Sequence, residues 1–175
     1  MQNLPGLLLI AGTGRNSGKT TLACRIIERY SEAGIIAVKI SPHLHVNRAG
    51  VSPIIETAGY TVYRETSLEG IKDSSRMLVS GATGSYYIQT SNEYAEAAFL
   101  ELFVRVGGGV PLVCESPSLR RWIEPGVFLV ADSGNNEKRK NLGIIYDMAD
   151  MIILQDNLES AVNRLGLKEG CWLIS

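Results

Sequence analysis

Short apolar runs of strand length alternate with stretches of helical periodicity along most of the chain. The first strand is predicted at residues 7–11, a helix at residues 18–33, and a second strand at residues 35–40. Parallel strands need long crossover connections, and a helix between successive strands supplies them. We therefore predict a three-layer α/β domain, with a mostly parallel sheet and helices on both of its faces.

The rest of the chain continues this alternation after one long excursion. Further strands are predicted at residues 85–89, 110–114, 127–131, 151–154 and 171–174. Further helices are predicted at residues 72–80, at residues 92–106, and from Asn157 to a stop at Gly166. Residues 41–70 fit the pattern least, although residues 60–65 have the composition of a short strand. The 175 residues suit one domain, so we predict a single domain with an excursion at about residues 41–70.

Charge and composition exclude several classes of protein. The 17 basic and 18 acidic residues leave a net charge of -1, whereas nucleic-acid-binding surfaces carry a basic excess. No apolar run approaches the roughly 20 residues of a membrane span, and the first residues lack the pattern of a secretory signal. We therefore expect a cytoplasmic protein without nucleic-acid or membrane partners. Cys24, Cys114 and Cys171 are far apart, and we expect each to be a small buried hydrophobe.

A glycine-rich loop follows the first strand directly and leads into a helix. Small residues let consecutive backbone N–H groups curl around a phosphate, and the helix N-terminus behind them favours an anion. Lys19 is placed for the β- and γ-phosphates and Thr20 for Mg²⁺, although Thr13 occupies the usual first glycine position. With the alternating strands and helices, this loop predicts a P-loop NTPase fold that binds ATP or GTP. The predicted nucleotide-binding residues are Gly14, Arg15, Asn16, Ser17, Gly18, Lys19, Thr20, Thr21 and Lys39.

Two acidic residues are candidate partners for the metal of a bound nucleotide. Glu115 follows the strand predicted at residues 110–114, and α/β ligand sites lie at the carboxyl ends of parallel strands. Asp73 begins the helix predicted at residues 72–80, where it could equally face the positive end of the helix dipole. We predict a Mg²⁺ site at Thr20, Asp73 and Glu115, with Lys19, Glu115 and Asp73 as catalytic residues.

Several blocks of sequence together carry a resemblance to a known family. They are residues 16–21, Lys39, residues 72–74 with Arg76, residues 81–82, and Glu115. In these blocks the chain resembles the molybdopterin-guanine dinucleotide biosynthesis protein B family, over roughly the first two-thirds of its length. The resemblance implies a P-loop, GTP-binding adapter of molybdenum cofactor biosynthesis, with weak NTPase activity and a partner enzyme in that pathway.

A second resemblance points to a different class of enzyme. Gly12 and Thr13 are similar to the same stretch of dethiobiotin synthetase and related ATP-dependent ligases, where a Thr stands at the position of Thr13. This resemblance implies that Lys39 serves the substrate and Asp73 the metal. The ligases have Pro after that Lys, and this chain has Ile40. A nucleotide-binding module without hydrolysis is the third alternative.

The remaining residues do not identify the base of the nucleotide, and they bear only indirectly on the oligomeric state. Residues 132–136 follow a buried strand but lack the Asn-Lys-x-Asp signature of guanine-specific proteins. His43 and His45 have no obvious third metal ligand, so we interpret them as loop histidines, and residues 137–140 as a solvated charged face. The excursion carries apolar residues without an evident place in the sheet, so we expect a homodimer through this segment.

Overall fold

The structure is a computed structural model that describes residues 1–42, 52–135 and 143–175. Its strands are β1 (Gln2–Gly12), β2 (Ile36–Ser41), β3 (Ile55–Glu56), β4 (Tyr60–Arg64), β5 (Gly84–Thr90), β6 (Leu112–Glu115), β7 (Ile123–Ala131), β8 (Met151–Ile153), β9 (Leu165–Lys168) and β10 (Cys171–Ile174). Its α-helices are α1 (Lys19–Arg29), α2 (Asp73–Val79), α3 (Ala95–Arg105), α4 (Ile144–Asp147) and α5 (Leu158–Asn163). Short 3-10 turns lie at Ser31–Ala33, Asn92–Tyr94 and Leu119–Arg121.

The main sheet of the described residues has the strand order β3-β4-β5-β2-β6-β1-β7-β8. The six strands from β5 to β8 in this order run parallel. At the other edge β4 pairs antiparallel with β5, and β3 pairs antiparallel with β4. The predicted α/β class with a mostly parallel sheet is therefore confirmed, and β6 lies beside β1.

Alternating residues of β1 explain why its apolar run is continuous. Leu7 and Leu9 face the core cluster that contains Phe99 of α3, whereas Leu8 and Ile10 face the cluster that contains Ile26 of α1. Side chains of α2 and α5 pack in the same cluster as α1. A strand that is buried on both faces has no polar side to alternate with, and helices cover both faces of the sheet as predicted.

The excursion contributes an antiparallel edge to the parallel sheet. Residues 60–65 were predicted as a short strand, and β4 confirms this prediction. Two residues of β3 add a further short strand outside it. His43 and His45 lie outside the described residues, as does the charged run at residues 137–140.

Two predictions near the C-terminus are wrong. The last helix ends at Asn163 rather than continuing to Gly166, because Leu165 begins β9 and pairs with Ile174 of β10. Strands β9 and β10 form a two-stranded antiparallel ribbon. Its Trp172 is buried and donates a hydrogen bond from the indole N–H to the carbonyl of Leu112 at 3.0 Å, which anchors the ribbon to the main sheet. Cys171 is exposed on the same ribbon and is not a buried hydrophobe, whereas Cys24 and Cys114 are buried. Across the described ranges, no helix has the length and apolar character needed to span a membrane.

Candidate functional site

The loop between β1 and α1 has backbone φ angles that most residues avoid. Gly14, Asn16 and Gly18 all have positive φ, at 145°, 60° and 91°. Glycine adopts such angles without cost, and asparagine tolerates them better than most residues. Gly18 is the N-cap of α1, and no side chain caps this helix end. The 11-residue helix therefore presents its positive end to the loop, an arrangement that suits an anion.

The side chain of Lys19 is held over this loop. Its ammonium donates to the carbonyl of Gly14 at 2.6 Å and to the hydroxyl of Ser17 at 3.1 Å. Burial lowers the pKa of Lys19 from its ordinary value, and the nearby positive charge of Lys39 adds to this effect, against the opposite pull of Glu115 and Asp73. The cation is thus preorganised at the loop but incompletely satisfied, so an anion would stabilise it.

Gly12 contributes to this site but was not among the predicted nucleotide-binding residues. A Cβ added there would lie 2.4 Å from the Ser17 hydroxyl oxygen and 2.7 Å from Lys19 Cγ. The Lys19 side chain reaches the loop only by passing directly over this glycine. The available signal was the position of Gly12, the last residue of a buried strand before the loop.

Thr13 connects the loop to the neighbouring strand end. Its hydroxyl accepts a hydrogen bond from the backbone N–H of Ser133 at 2.9 Å and lies 3.4 Å from Asp132 Oδ1. Asp132 is buried and also accepts hydrogen bonds from the N–H of Gly134 and the hydroxyl of Tyr146. The threonine at the usual first glycine position therefore contributes contacts that a glycine could not make.

A second group of side chains meets beside the loop. Glu115 has a side chain only 2% exposed, and its Oε2 accepts a hydrogen bond from the Thr20 hydroxyl at 2.9 Å. Its Oε1 forms an ion pair with the ammonium of Lys39. The same ammonium lies 3.0 Å from Asp73 Oδ2. The structure thus brings Thr20, Lys39, Asp73 and Glu115 together, although they come from four different elements.

The sheet register explains why these residues meet. Lys39 of β2 and Glu115 of β6 are paired positions in adjacent parallel strands, and Ile10 of β1 pairs with Glu115 on its other side. Thr20 is in the first turn of α1, directly after the loop. Asp73 is the first residue of α2 and reaches Lys39 from outside the sheet.

The charges of this group stabilise one another. Burial alone would lower the pKa of Lys39, but Glu115 and Asp73 together raise it above its ordinary value. Burial alone would raise the pKa of Asp73, but Lys39, with help from Thr20 and Arg76, lowers it below its usual value. Lys39 and Asp73 are therefore both charged near neutral pH, and a charged Asp73 is the form that could bind a cation.

The hydroxyl and the two carboxylates of this group offer a metal ion only oxygen ligands. Mg²⁺ prefers oxygen ligands and retains several of its waters, so Thr20, Glu115 and Asp73 fit its chemistry. In the described part of the chain, no group of three or more His, Cys, Asp or Glu side chains is arranged to hold a metal ion. A divalent ion here would therefore need further oxygens, which a bound phosphate could supply.

A cleft of about 550 Å³ opens on the other side of the loop. Residues of the loop and of α1 line one wall, and the ends of β7 and β8 line the other. Gln155 and Asp156, which the sequence analysis did not single out, lie in the turn after β8 and also line this cleft. Its volume lies in the range of small-molecule sites, which is about 300–1,000 Å³.

Two of the predicted nucleotide-binding residues, Arg15 and Thr21, do not contact Lys19, Lys39 or the two carboxylates. Arg15 is exposed in the loop. Thr21 is exposed, accepts a hydrogen bond from Arg76 at 3.4 Å, and lines the cleft.

Comparison with known proteins found no matching family model, no similar curated protein and no similar solved structure. The geometry of the site is therefore the basis for the proposed function.

Proposed function

We propose that the protein binds a nucleoside triphosphate at the loop between β1 and α1 and is a P-loop NTPase. The observation that carries this proposal is the position of the Lys19 ammonium, held by Gly14 and Ser17 at the uncapped N-terminus of α1. In this proposal the loop N–H groups bind phosphate oxygens, and Lys19 neutralises charge on the β- and γ-phosphates.

Thr20, Glu115 and Asp73 would hold the Mg²⁺ that accompanies the nucleotide. When bound, the ion would act as a Lewis acid on the phosphate oxygens. Glu115 orients the Thr20 hydroxyl from a buried position, where its charge is poorly screened by water. Asp73 would contribute its carboxylate from the first residue of α2, where it already contacts Lys39.

The cleft beside the loop is the proposed site of the base and ribose. It adjoins the loop at Asn16 and Gly18, which places it within reach of a nucleotide whose phosphates lie on the loop. Gln155 and Asp156 line the cleft with polar groups that could contact a base edge. ATP and GTP both fit this proposal, and binding measurements with each nucleotide distinguish them.

The reaction that this site supports best is slow, Mg²⁺-dependent hydrolysis. We propose an adapter or weak NTPase of the molybdenum-cofactor biosynthesis type, resembling the molybdopterin-guanine dinucleotide biosynthesis protein B family. The position of Lys39 close to Lys19 supports a second candidate, an ATP-dependent ligase of the dethiobiotin synthetase type, in which the Lys39 ammonium would serve the substrate. A module that binds nucleotide without turnover is the third candidate.

The first experiment combines two measurements on the purified chain with ATP and GTP, each with and without Mg²⁺. Calorimetric titration, also with non-hydrolysable analogues, measures binding, and a phosphate assay measures release. Phosphate release without an added metabolite supports the adapter or weak NTPase. Release only with a small carboxylate or amine supports the ligase, and binding without release supports the module. Absence of binding by every nucleotide would refute the proposal.

Lys19→Ala tests the loop itself. Removing the ammonium should weaken triphosphate binding by about 2–4 kcal/mol, roughly 30- to 700-fold, as expected for the loss of a charged partner. Circular dichroism should show an intact fold. Lys168→Ala is the matched control, because Lys168 is exposed on the β9–β10 ribbon away from the loop. Equal affinities of Lys19→Ala and the wild type would exclude the loop as the phosphate site.

The proposed assembly is a homodimer through residues 41–70, with a partner enzyme of cofactor biosynthesis. Ile55 and Val62 of this segment are buried in the core of the domain, so the support for the dimer is the exposure of Leu68 and Ile71 near Asp73. Light scattering gives the mass in solution.

A further inference from the structure

The ammonium of Lys39 occupies the centre of the proposed Mg²⁺ site. It lies 3.0 Å from Asp73 Oδ2 and forms an ion pair with Glu115 Oε1, while Glu115 Oε2 accepts a hydrogen bond from Thr20 at 2.9 Å. These three residues are the ones proposed to hold the metal. One positive charge of the protein itself therefore already offsets part of the negative charge of the two carboxylates that the metal would use.

Burial makes this internal cation necessary. The side chain of Glu115 is 2% exposed and that of Lys39 is 16% exposed, so water screens their charges poorly. A buried carboxylate without a positive partner is strongly unfavourable. Before nucleotide binds, Lys39 is the cation in contact with Glu115, and it contacts Asp73 at the same time.

Two cations that share the same carboxylate oxygens are each bound more weakly than one cation alone. A metal ion that binds Glu115 and Asp73 must displace the ammonium of Lys39 or share its ligands. The four-carbon stem of lysine is flexible, so the ammonium can move while the backbone of β2 stays paired in the sheet. Lys39 is also close enough to Lys19 to affect its pKa, so the two cations lie near the same phosphate-binding space.

We propose that Lys39 is an internal competitor of Mg²⁺ for Glu115 and Asp73. This inference rests on the proposed function. In the absence of nucleotide the ammonium excludes the free metal, because displacing it would leave a buried cation without partners. The triphosphate removes this barrier, since its negative charge gives the displaced ammonium a new partner. Lys39 is thus a specificity-determining residue that makes the protein select the metal–nucleotide complex over the free metal.

The test measures metal binding to the nucleotide-free protein, with Mn²⁺ as the probe and electron paramagnetic resonance to count the free ion. Lys39→Met keeps an unbranched apolar stem and removes the charge. It should bind Mn²⁺ at least tenfold more tightly than the wild type. Lys39→Arg keeps the cation and should bind Mn²⁺ as weakly as the wild type. Lys168→Met is the matched control for the loss of one exposed positive charge.

A double variant, Lys39→Met with Asp73→Asn, locates the bound ion. It should lose most of the affinity that Lys39→Met gains, because one of the two carboxylates is then neutral. If Lys39→Met is poorly folded, its thermal unfolding is measured with and without Mg²⁺. The metal should then raise its melting temperature by more than it raises that of the wild type.

Lys39 has only a structural ion pair if Lys39→Met is destabilised and gains neither Mn²⁺ affinity nor stabilisation by Mg²⁺. That result overturns the inference and leaves the proposed function intact if Lys19→Ala still weakens nucleotide binding. A wild-type protein that binds no nucleotide would instead overturn the proposed function. The Mn²⁺ titration contains no nucleotide, so the two failures are separate.

Discussion

Gly12→Ala should weaken phosphate binding by displacing Ser17 and Lys19, although it removes no side chain from the site. The added Cβ would lie 2.4 Å from the Ser17 hydroxyl oxygen and 2.7 and 2.8 Å from Lys19 Cγ and Cδ. Ordinary contacts of a Cβ begin at 3.4 Å, so Ser17 and Lys19 must move by up to about 1 Å. The backbone of Gly12 is in a β-strand, so alanine adds no backbone strain there.

The size of the effect follows from this displacement. Overpacking of this kind costs about 1–3 kcal/mol, which for a chain of this length corresponds to a fall in melting temperature of roughly 2–12 °C. The Lys19 ammonium moves with its stem, and a displacement of about 1 Å in a positioned group can cost on the order of 100-fold in function. We expect triphosphate affinity to fall by about 10- to 100-fold.

Calorimetry with a non-hydrolysable triphosphate gives the affinity, and thermal unfolding gives the stability. The matched control is Gly109→Ala, where the nearest atom to the added Cβ is the Gly107 carbonyl oxygen at an ordinary 3.8 Å. That variant should behave as the wild type in both assays. A Gly12→Ala protein that binds triphosphate within twofold of the wild type would show that triphosphate binding does not require the Lys19 stem to pack against Gly12. The side chain of Lys19 would then not be preorganised by this contact.

The remaining predictions concern the carboxylates. Glu115→Gln should reduce Mg²⁺-dependent phosphate release more than nucleotide affinity, because its charge matters most as charge develops during transfer, and Asp73→Asn should weaken the dependence on Mg²⁺. Release rates within twofold of wild type for both variants would make the carboxylates structural. The pKa of Asp73 lies below its ordinary value of 3.8, so its pair with Lys39 stabilises the fold above pH 3.8 and this contribution is lost as the pH falls through the lowered value. The pKa of Lys39 lies above 10.5, so the corresponding contribution is complete below that pH and is lost as the pH rises through the raised value. The difference in melting temperature between wild type and Asp73→Asn should therefore shrink in strong acid, and a constant difference down to the lowest pH at which both fold would contradict this assignment.

Local patterns were sufficient to predict most of the sheet. The run at residues 7–11 is apolar at every position, so it had to be buried on both faces, and β1 is the strand between β6 and β7. The helix after the loop followed from the spacing of residues such as Leu22 and Ile26, both of which are fully buried. These properties depend on neighbours in the chain, so a single sequence contains them.

The C-terminal ribbon could not be predicted in the same way. Residues 158–165 have helical spacing, and the helix does form as far as Asn163. Leu165 then leaves it because backbone pairing with β10 and the burial of Trp172 outweigh the local preference. Gly166 suits this pairing as well as a helix stop, since a Cβ there would lie 2.7 Å from Leu173 Cδ1.

The sequence by itself determined the α/β alternation, the loop and the candidacy of Lys19, Thr20 and Glu115, because these depend on residue type and on short spacings. Only the tertiary structure decided that Lys39 contacts Glu115 and Asp73 simultaneously. Lys39 and Glu115 are 76 residues apart, and their contact depends on which strands become neighbours and in what register. Strand order is set by the packing of the whole sheet and its helices, so no local pattern around either residue encodes the contact.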